Sequence, residues 1–198
     1  MRLTRAFFAR DTLSVARDLL GRRLVRVMDG ERISGKIVET EAYVGEDDEA
    51  SHARPGPTDR NASMYGPPGH AYVYLIYGMY HCFNVVTQRK GYPAAVLIRA
   101  LEPMEGLSFM RDRRGRVGAR DPRKLTSGPG RLCQALAIDQ SHDGLDLCAS
   151  DALLFLERGE SVAEDAVATS PRINVRGDEA AVSVPWRFRV RENPHVSG

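Results

Sequence analysis

The segment that most constrains the fold is residues 72–84, which read Tyr-Val-Tyr-Leu-Ile-Tyr-Gly-Met-Tyr-His-Cys-Phe-Asn. Its first residues alternate rings with aliphatic side chains, so a β-strand would place Tyr72 and Tyr74 on one face and Val73 on the other. Gly78 ends this alternation, and Tyr77 stands at the break. The segment therefore predicts a strand and a turn that display aromatic rings. Such rings are either ordinary sheet residues or a stacking platform for a flat ligand, and the pattern leaves both open.

A second strand pattern, residues 38–43, carries two carboxylates on one face. Glu39 and Glu41 are two residues apart, which is the spacing that puts side chains on the same side of a strand. These glutamates are either solvated edge residues or acidic groups turned towards the aromatic wall. The second arrangement favours a flat, stacked substrate beside a carboxylate.

The rest of the chain predicts more strands than helices. Asp11 is the expected N-cap of a helix to about Leu20, and Asp29-Gly30 is a strong hairpin signal. Residues 45–70 predict a long loop, which is often functional at this length. Strands are expected at 23–28, 32–39, 71–76, 82–87, 94–100, 153–156, 172–175 and 186–190, and helices at 105–113 and at 132–137 with Ser127 as cap. We expect an α+β fold: a single domain over residues 1–198, with a mixed, largely antiparallel curved β-sheet flanked by short helices.

The charge distribution and the cysteine content limit which binding partners and which cellular compartment we expect for this chain. The net charge is only +2, but residues 111–124 hold seven basic residues against two acidic ones, which indicates either a solvated loop or a phosphate-contacting loop. No apolar run reaches about 18 residues, so we expect no membrane-spanning helix. The chain has three cysteines (Cys82, Cys133 and Cys148) and no Cys-x-x-Cys pair, which favours reduced thiols in a cytoplasm and argues against a structural zinc site.

Six segments, in order along most of the chain, resemble the alkyladenine (3-methyladenine) DNA glycosylase family. They are residues 37–43, 48–52, 58–61, 72–84, 97–103 and 127–136. The resemblance implies a monofunctional enzyme that flips a damaged purine out of duplex DNA and hydrolyses its N-glycosidic bond with water. It also implies no cofactor, no metal, no lyase activity, damaged double-stranded DNA as partner, and a monomeric, cytoplasmic, nucleoid-associated protein. Without a long N-terminal extension, we expect a minimal catalytic domain.

The resemblance assigns the chemistry to six residues. Glu41 is the expected general base that deprotonates the attacking water, although spacing alone would allow Glu39, and Arg99 is expected beside the water. An ionised carboxylate can activate water and also stabilise an oxocarbenium-like sugar. The remaining residues bind the flipped purine: Tyr43, His52 and Tyr74 enclose it, and Asn84 selects against the guanine amino group.

The resemblance assigns DNA contacts to five other residues. Tyr77 is the expected wedge that fills the vacated base stack, and the others are Met64, Tyr65, Arg60 and Arg131. The chain departs from the family pattern at Asp59, where proline is usual, and residues 66–70 resemble the bacterial versions. These departures leave the choice among 3-methyladenine, 7-methylguanine, hypoxanthine and ethenoadenine open.

Two other readings compete with a DNA glycosylase. A hydrolase of free modified nucleosides would use the same pocket but would have no use for the Tyr77 wedge or the basic segment 111–124. A non-catalytic nucleic-acid-binding module would leave Glu41 unexplained, because a carboxylate beside a phosphate path repels it. Salt dependence separates these readings, since duplex binding should weaken steeply with ionic strength whereas free-nucleoside turnover should hardly respond.

Overall fold

The computed structural model describes residues 1–197, and for residues 116–120 it describes the backbone alone. The strands are β1 (Arg23–Met28), β2 (Glu31–Val44), β3 (Ala71–Ile76), β4 (Tyr80–Val86), β5 (Ala94–Glu105), β6 (Leu154–Glu157), β7 (Val167–Ser170) and β8 (Arg187–Val190). The helices are α1 (Arg5–Phe8), α2 (Thr12–Asp18), α3 (Leu107–Arg120), α4 (Pro129–Ala135) and α5 (Glu179–Ser183). No helix in this described range is long and apolar enough to cross a bilayer.

All eight strands join one curved, unclosed sheet. The order is β3-β4-β5-β2-β1-β6, and β8 pairs with both β2 and β7. Every pairing recorded among the described strands is antiparallel. The predicted α+β class with a largely antiparallel sheet is therefore confirmed.

The two faces of the sheet have different roles, which alternation along β2 makes clear. Thr40 points to the helix-covered face, where its hydroxyl donates to the carbonyl of Ala16 in α2 at 2.8 Å. The main hydrophobic core lies on this face and includes Phe83, Ile98 and Leu132, all fully buried. Glu39 and Glu41, one residue to either side of Thr40, point to the opposite face. Helix α2 and the main hydrophobic core thus cover one side of the sheet, and the polar cluster lies on the other side.

Several local predictions are confirmed. The bounds of β1 and β3 are those expected, and β1 pairs with β2 through a turn in which Asp29 and Gly30 both have positive φ, 52° and 80°. Asp11 caps α2, since its carboxylate accepts from the backbone N–H of Ser14. These signals are local, so the sequence reports them directly.

The strand predicted at residues 172–175 is wrong. Residues 172–175 form no strand, and β7 ends before them, at Ser170. The backbone N–H of Ile173 donates to the Glu41 carboxylate instead of to a neighbouring strand, and Asn174 has φ 56°. A residue with a left-handed backbone conformation cannot continue a strand. The Glu41 carboxylate also takes the place of a neighbouring strand as the hydrogen-bond acceptor for the Ile173 N–H.

Two helix predictions also need correction. Ser127 does not cap α4: the N-cap position is Gly128, and the Ser127 hydroxyl accepts from Arg131 at 3.0 Å. The basic segment 111–124 is not a loop: it forms the larger part of α3, kinked at Gly115, and a short 3-10 turn at Pro122–Lys124. The side chains at 116–120 lie outside the described residues, so the phosphate-contact reading of this segment stays a prediction.

Candidate active site

One transverse row of side chains crosses five strands of the sheet. Cross-strand pairing links Tyr72 to Asn84, Asn84 to Leu97, Leu97 to Glu41, and Glu41 to Arg187. Residues directly opposite each other in an antiparallel sheet present their side chains on the same face. The ring of Tyr72, the amide of Asn84 and the carboxylate of Glu41 therefore lie in one row on the same face of the sheet.

Glu41 is fully buried and is held by two hydrogen-bond donors and one ion pair. Its Oε1 accepts from the backbone N–H of Ile173 at 2.7 Å, and its Oε2 accepts from the Tyr43 hydroxyl at 2.9 Å. Arg99 Nη1 lies 3.1 Å from the same Oε2. A carboxylate offers about four acceptor positions, and these two hydrogen bonds fill two of them.

Glu39 is also fully buried, but its carboxylate is more fully occupied. Its Oε1 accepts from Arg187 Nε at 2.5 Å, from the Ser197 hydroxyl at 2.9 Å and from Arg99 Nε at 3.2 Å. Its Oε2 accepts from the Ser197 backbone N–H at 2.7 Å. Spacing alone does not separate Glu39 from Glu41, but their contacts differ: Glu39 is paired with two arginines, Arg99 and Arg187.

Arg99 joins the two carboxylates from a bulge in β5. Ile98 and Ala100 pair with the adjacent residues Thr40 and Glu39, so Arg99 is the extra residue between them. Bulges of this kind re-aim a side chain next to a site. Burial acts to lower the pKa of Arg99, but the carboxylates of Glu41 and Glu39 outweigh it and the pKa is raised. The guanidinium therefore stays charged.

An aromatic wall stands beside this charge cluster. The rings of His52 and Tyr74 meet edge to face at 4.4 Å, and Tyr72 lies 5.3 Å from Tyr74. Burial, with a smaller effect of the Arg60 charge, lowers the pKa of His52, whose Nδ1 lies 2.8 Å from the Tyr72 hydroxyl. Burial raises the pKa of Tyr43 well above its usual value, as does Glu41. Near neutral pH this wall is therefore uncharged.

A cleft of about 800 Å³ opens between the wall and the charge cluster. Tyr43, His52, Tyr74 and Arg99 line it, while Glu41 lies directly behind Tyr43 and Arg99. Asn84, buried on the floor, donates from Nδ2 to the backbone carbonyl of Tyr72 at 2.9 Å. The space is larger than a single purine, and a flat ring would fit against its aromatic side.

Tyr77 stands at the mouth of the cleft in a strained conformation. It is 73% exposed and has φ 54°, and it is followed by Gly78 with φ 68°. The Met79 backbone N–H donates to the Ile76 carbonyl at 3.2 Å, which closes a tight turn. A large non-glycine residue in the left-handed region costs of order 1 kcal/mol or more. The strained backbone of Tyr77 and the exposure of its ring both fail to stabilise the fold, so stability alone does not explain this residue.

The other residues predicted to contact DNA occupy different positions. Met64 and Arg131 line the cleft, although Met64 is only 2% exposed and belongs to a small hydrophobic cluster with Tyr72. Arg60 donates to the Leu75 carbonyl at 3.2 Å, and its guanidinium lies 5.9 Å from the Tyr74 ring. The Tyr65 hydroxyl donates to Glu46 at 2.8 Å.

The sequence reasoning missed four residues that build the site. Ile173, Arg187 and Ser197 contact Glu41 or Glu39 directly, as described above. Arg172 is fully buried, forms a two-pronged ion pair with Asp48 at 2.6 and 2.8 Å, and lies 4.8 Å from the Tyr43 ring. The only sequence signal for Arg172 was its place at the start of an otherwise ordinary strand pattern, and that pattern did not indicate that Asp48 would be its ion-pair partner.

In the described part of the chain, no three or more His, Cys, Asp or Glu residues are grouped so that they could hold a metal ion. The site combines a buried carboxylate, an arginine and a wall of rings. That set can activate water beside a stacked, flat ring.

Comparison with known proteins gives one family and many relatives. The methylpurine-DNA glycosylase family model matches residues 6–194. A protein of Methanocella arvoryzae, provisionally named a 3-methyladenine DNA glycosylase, is 51% identical over 197 residues, which is 98% of this chain and 95% of the relative. Proteins with the same name from Anaeromyxobacter dehalogenans and Alkaliphilus oremlandii are 52% and 45% identical, over all of this chain and 86% and 99% of their own lengths.

Proposed function

This chain belongs to the methylpurine-DNA glycosylase family, and we propose that it flips alkylated or deaminated purines out of duplex DNA and hydrolyses their N-glycosidic bond to begin base excision repair. The substrates in view are 3-methyladenine, 7-methylguanine, hypoxanthine and ethenoadenine. One observation carries the proposal: Glu41, paired with Arg99, lies immediately behind a cleft walled by Tyr43, His52 and Tyr74.

Glu41 is the proposed general base. Water donates a hydrogen bond to an acceptor position of Glu41 that its two hydrogen-bond donors leave free, and its oxygen attacks C1′ of the sugar. The bond from C1′ to the purine nitrogen breaks with its electron pair going to the base, and the proton of the water passes to Glu41. Arg99 and the carboxylate together orient the water, and the negative charge stabilises the oxocarbenium-like transition state.

Tyr43, His52 and Tyr74 are the proposed stacking residues, and Asn84 the proposed selectivity residue. Stacking of a base on an aromatic side chain contributes roughly 1–3 kcal/mol, and a cationic alkylated purine gains a further attraction from the ring faces. Asn84 already uses its Nδ2 on the Tyr72 carbonyl, which orients its amide at the floor of the cleft. That fixed amide supports discrimination between purines that differ in one exocyclic group.

Tyr77 is the proposed wedge, with Met64, Tyr65, Arg60 and Arg131 as the surrounding DNA contacts. Flipping a nucleotide costs a few kcal/mol, and an inserted ring offsets part of that while bending the duplex. The exposed, strained Tyr77 supports this role. None of the described residues that line the cleft is a lysine, which supports direct attack by water and a monofunctional enzyme without lyase activity.

The test is single-turnover release of base from duplex oligonucleotides, each with one lesion, by the wild type and by Glu41→Gln. The matched control is Glu31→Gln, the same change at an exposed glutamate of the β1–β2 hairpin. We expect release by the wild type and the control, duplex binding but no release by Glu41→Gln, and strands that stay uncut until alkali is added. Near-wild-type release by Glu41→Gln would refute the assignment of the base, and no release from any lesion by the wild type would refute the function.

A further inference from the structure

We propose that Ser197 is a positioning residue for base release, because its hydroxyl fixes the guanidinium of Arg99 between Glu39 and Glu41. The inference rests on the proposed function and adds a residue that lies outside every motif described above. Ser197 follows β8, is only 7% exposed, and lines the same cleft as Arg99.

The Ser197 backbone is anchored independently of its hydroxyl. Its N–H donates to Glu39 Oε2 at 2.7 Å, and its carbonyl accepts from Arg187 Nη2 at 2.9 Å. These two bonds hold the residue in place whatever its side chain. The hydroxyl therefore has a separate task, and a change confined to it leaves the anchoring intact.

The hydroxyl connects one carboxylate to one edge of the Arg99 guanidinium. It donates to Glu39 Oε1 at 2.9 Å and accepts from Arg99 Nη2 at 3.2 Å and Nε at 3.4 Å. Among the hydrogen bonds of the described residues, which leave out the side chains at 116–120, this hydroxyl is the only partner of Nη2. Because the guanidinium is a rigid plane, holding Nε and Nη2 along one edge directs Nη1 to Glu41, 3.1 Å away.

Without the hydroxyl, the position of Arg99 is less well determined. Two buried carboxylates compete for the guanidinium, at 3.2 Å for Glu39 and 3.1 Å for Glu41. Loss of the Nη2 contact frees the plane to turn towards Glu39, which leaves Glu41 and the attacking water less well oriented. Small displacements of this kind lower reaction rates strongly while leaving substrate binding intact.

The experiment compares Ser197→Ala, Ser197→Gly and Ser197→Thr with Ser170→Ala as control. Ser170 contacts Arg187 at 3.3 Å but neither Arg99 nor Glu39, so it tests the same chemical change next to the cluster. We expect Ser197→Ala and Ser197→Gly to lose about 10-fold in single-turnover release, the effect of one hydrogen bond to a charged group. The duplex dissociation constant should stay at the wild-type value when measured well below the melting temperature of every variant. Ser197→Thr, which keeps a hydroxyl, should keep the rate.

A double-mutant cycle shows whether Ser197 acts through Arg99. In an Arg99→Ala background, Ser197→Ala should cause no further loss, because the group it positions is absent. A wild-type rate in Ser197→Ala, no rescue by Ser197→Thr, or an equal additional loss in the Arg99→Ala background would each overturn the inference. Failure of the proposed function looks different, since the wild type itself would then release no base.

Discussion

The Tyr43 hydroxyl can be removed without removing the ring, which separates its two proposed roles. The hydroxyl donates to Glu41 Oε2 at 2.9 Å, and the ring lines the cleft. Tyr43→Phe deletes a single oxygen, so stacking on the purine should persist while the carboxylate loses one donor. Glu41 keeps Arg99 and the Ile173 N–H, so the buried charge is not left without partners.

The expected magnitude follows from that one bond. A hydrogen bond to a charged group contributes about 1.5–3 kcal/mol, and 1.36 kcal/mol corresponds to about tenfold in rate. Because the Ile173 N–H and the Arg99 ion pair remain on Glu41, we expect the lower end of this range, a loss of about tenfold in single-turnover base release. Binding of ethenoadenine duplex should change little, because the ring still stacks.

The assay follows ethenoadenine fluorescence, which reports stacking of the flipped base, together with base release in the same reactions. Tyr92→Phe, the same change outside the cleft, is the control. The pKa of Tyr43 is raised, so its hydroxyl stays protonated and continues to donate to Glu41 throughout the neutral range. The ratio of the wild-type rate to the Tyr43→Phe rate should therefore be the same at about pH 7 and at about pH 9. Equal release by the two proteins, or a loss of stacking as large as the loss of rate, would refute the reasoning.

Three further predictions concern residues around the cleft. Arg172→Ala should destabilise the fold by about 3–5 kcal/mol, since it removes the cationic partner of the buried Asp48 carboxylate and leaves it only two backbone N–H donors. A calorimetric melting temperature lowered by less than about 2 °C would contradict this. Tyr77→Asn should weaken duplex binding and flipping yet leave the melting temperature equal or higher, because asparagine tolerates the left-handed turn; a lower melting temperature would count against strain at Tyr77. Burial lowers the pKa of His52, so the unfolded state takes up the proton first as the pH drops. The free energy of unfolding should therefore decrease as the pH falls below about 6.5. Urea unfolding of His52→Gln should show a smaller decrease over the same pH range, and an equal decrease in both proteins would contradict the shift.

The sequence predicted much of the sheet because its signals are local. Alternation in residues 72–76 predicted β3 and the shared face of Tyr72 and Tyr74, and the same period predicted that Glu39 and Glu41 face one way. Position along one strand is enough for such statements, because the side-chain period of a strand is two. The resemblance further predicted which residues of distant segments belong to one site, and the structure places Tyr43, Tyr74 and Arg99 in the lining of one cleft with Glu41 directly behind Tyr43 and Arg99.

What the sequence by itself determined, then, is which residues share a strand face and which family the segments resemble. What only the tertiary structure decided is which contacts each of the two carboxylates makes. Glu39 and Glu41 have equivalent spacing, and their difference comes from partners far along the chain: Ser197 lies 158 residues from Glu39, and Ile173 lies 132 residues from Glu41. The physical reason is that hydrogen bonds depend on distance in space, and no periodicity records contacts between segments so far apart.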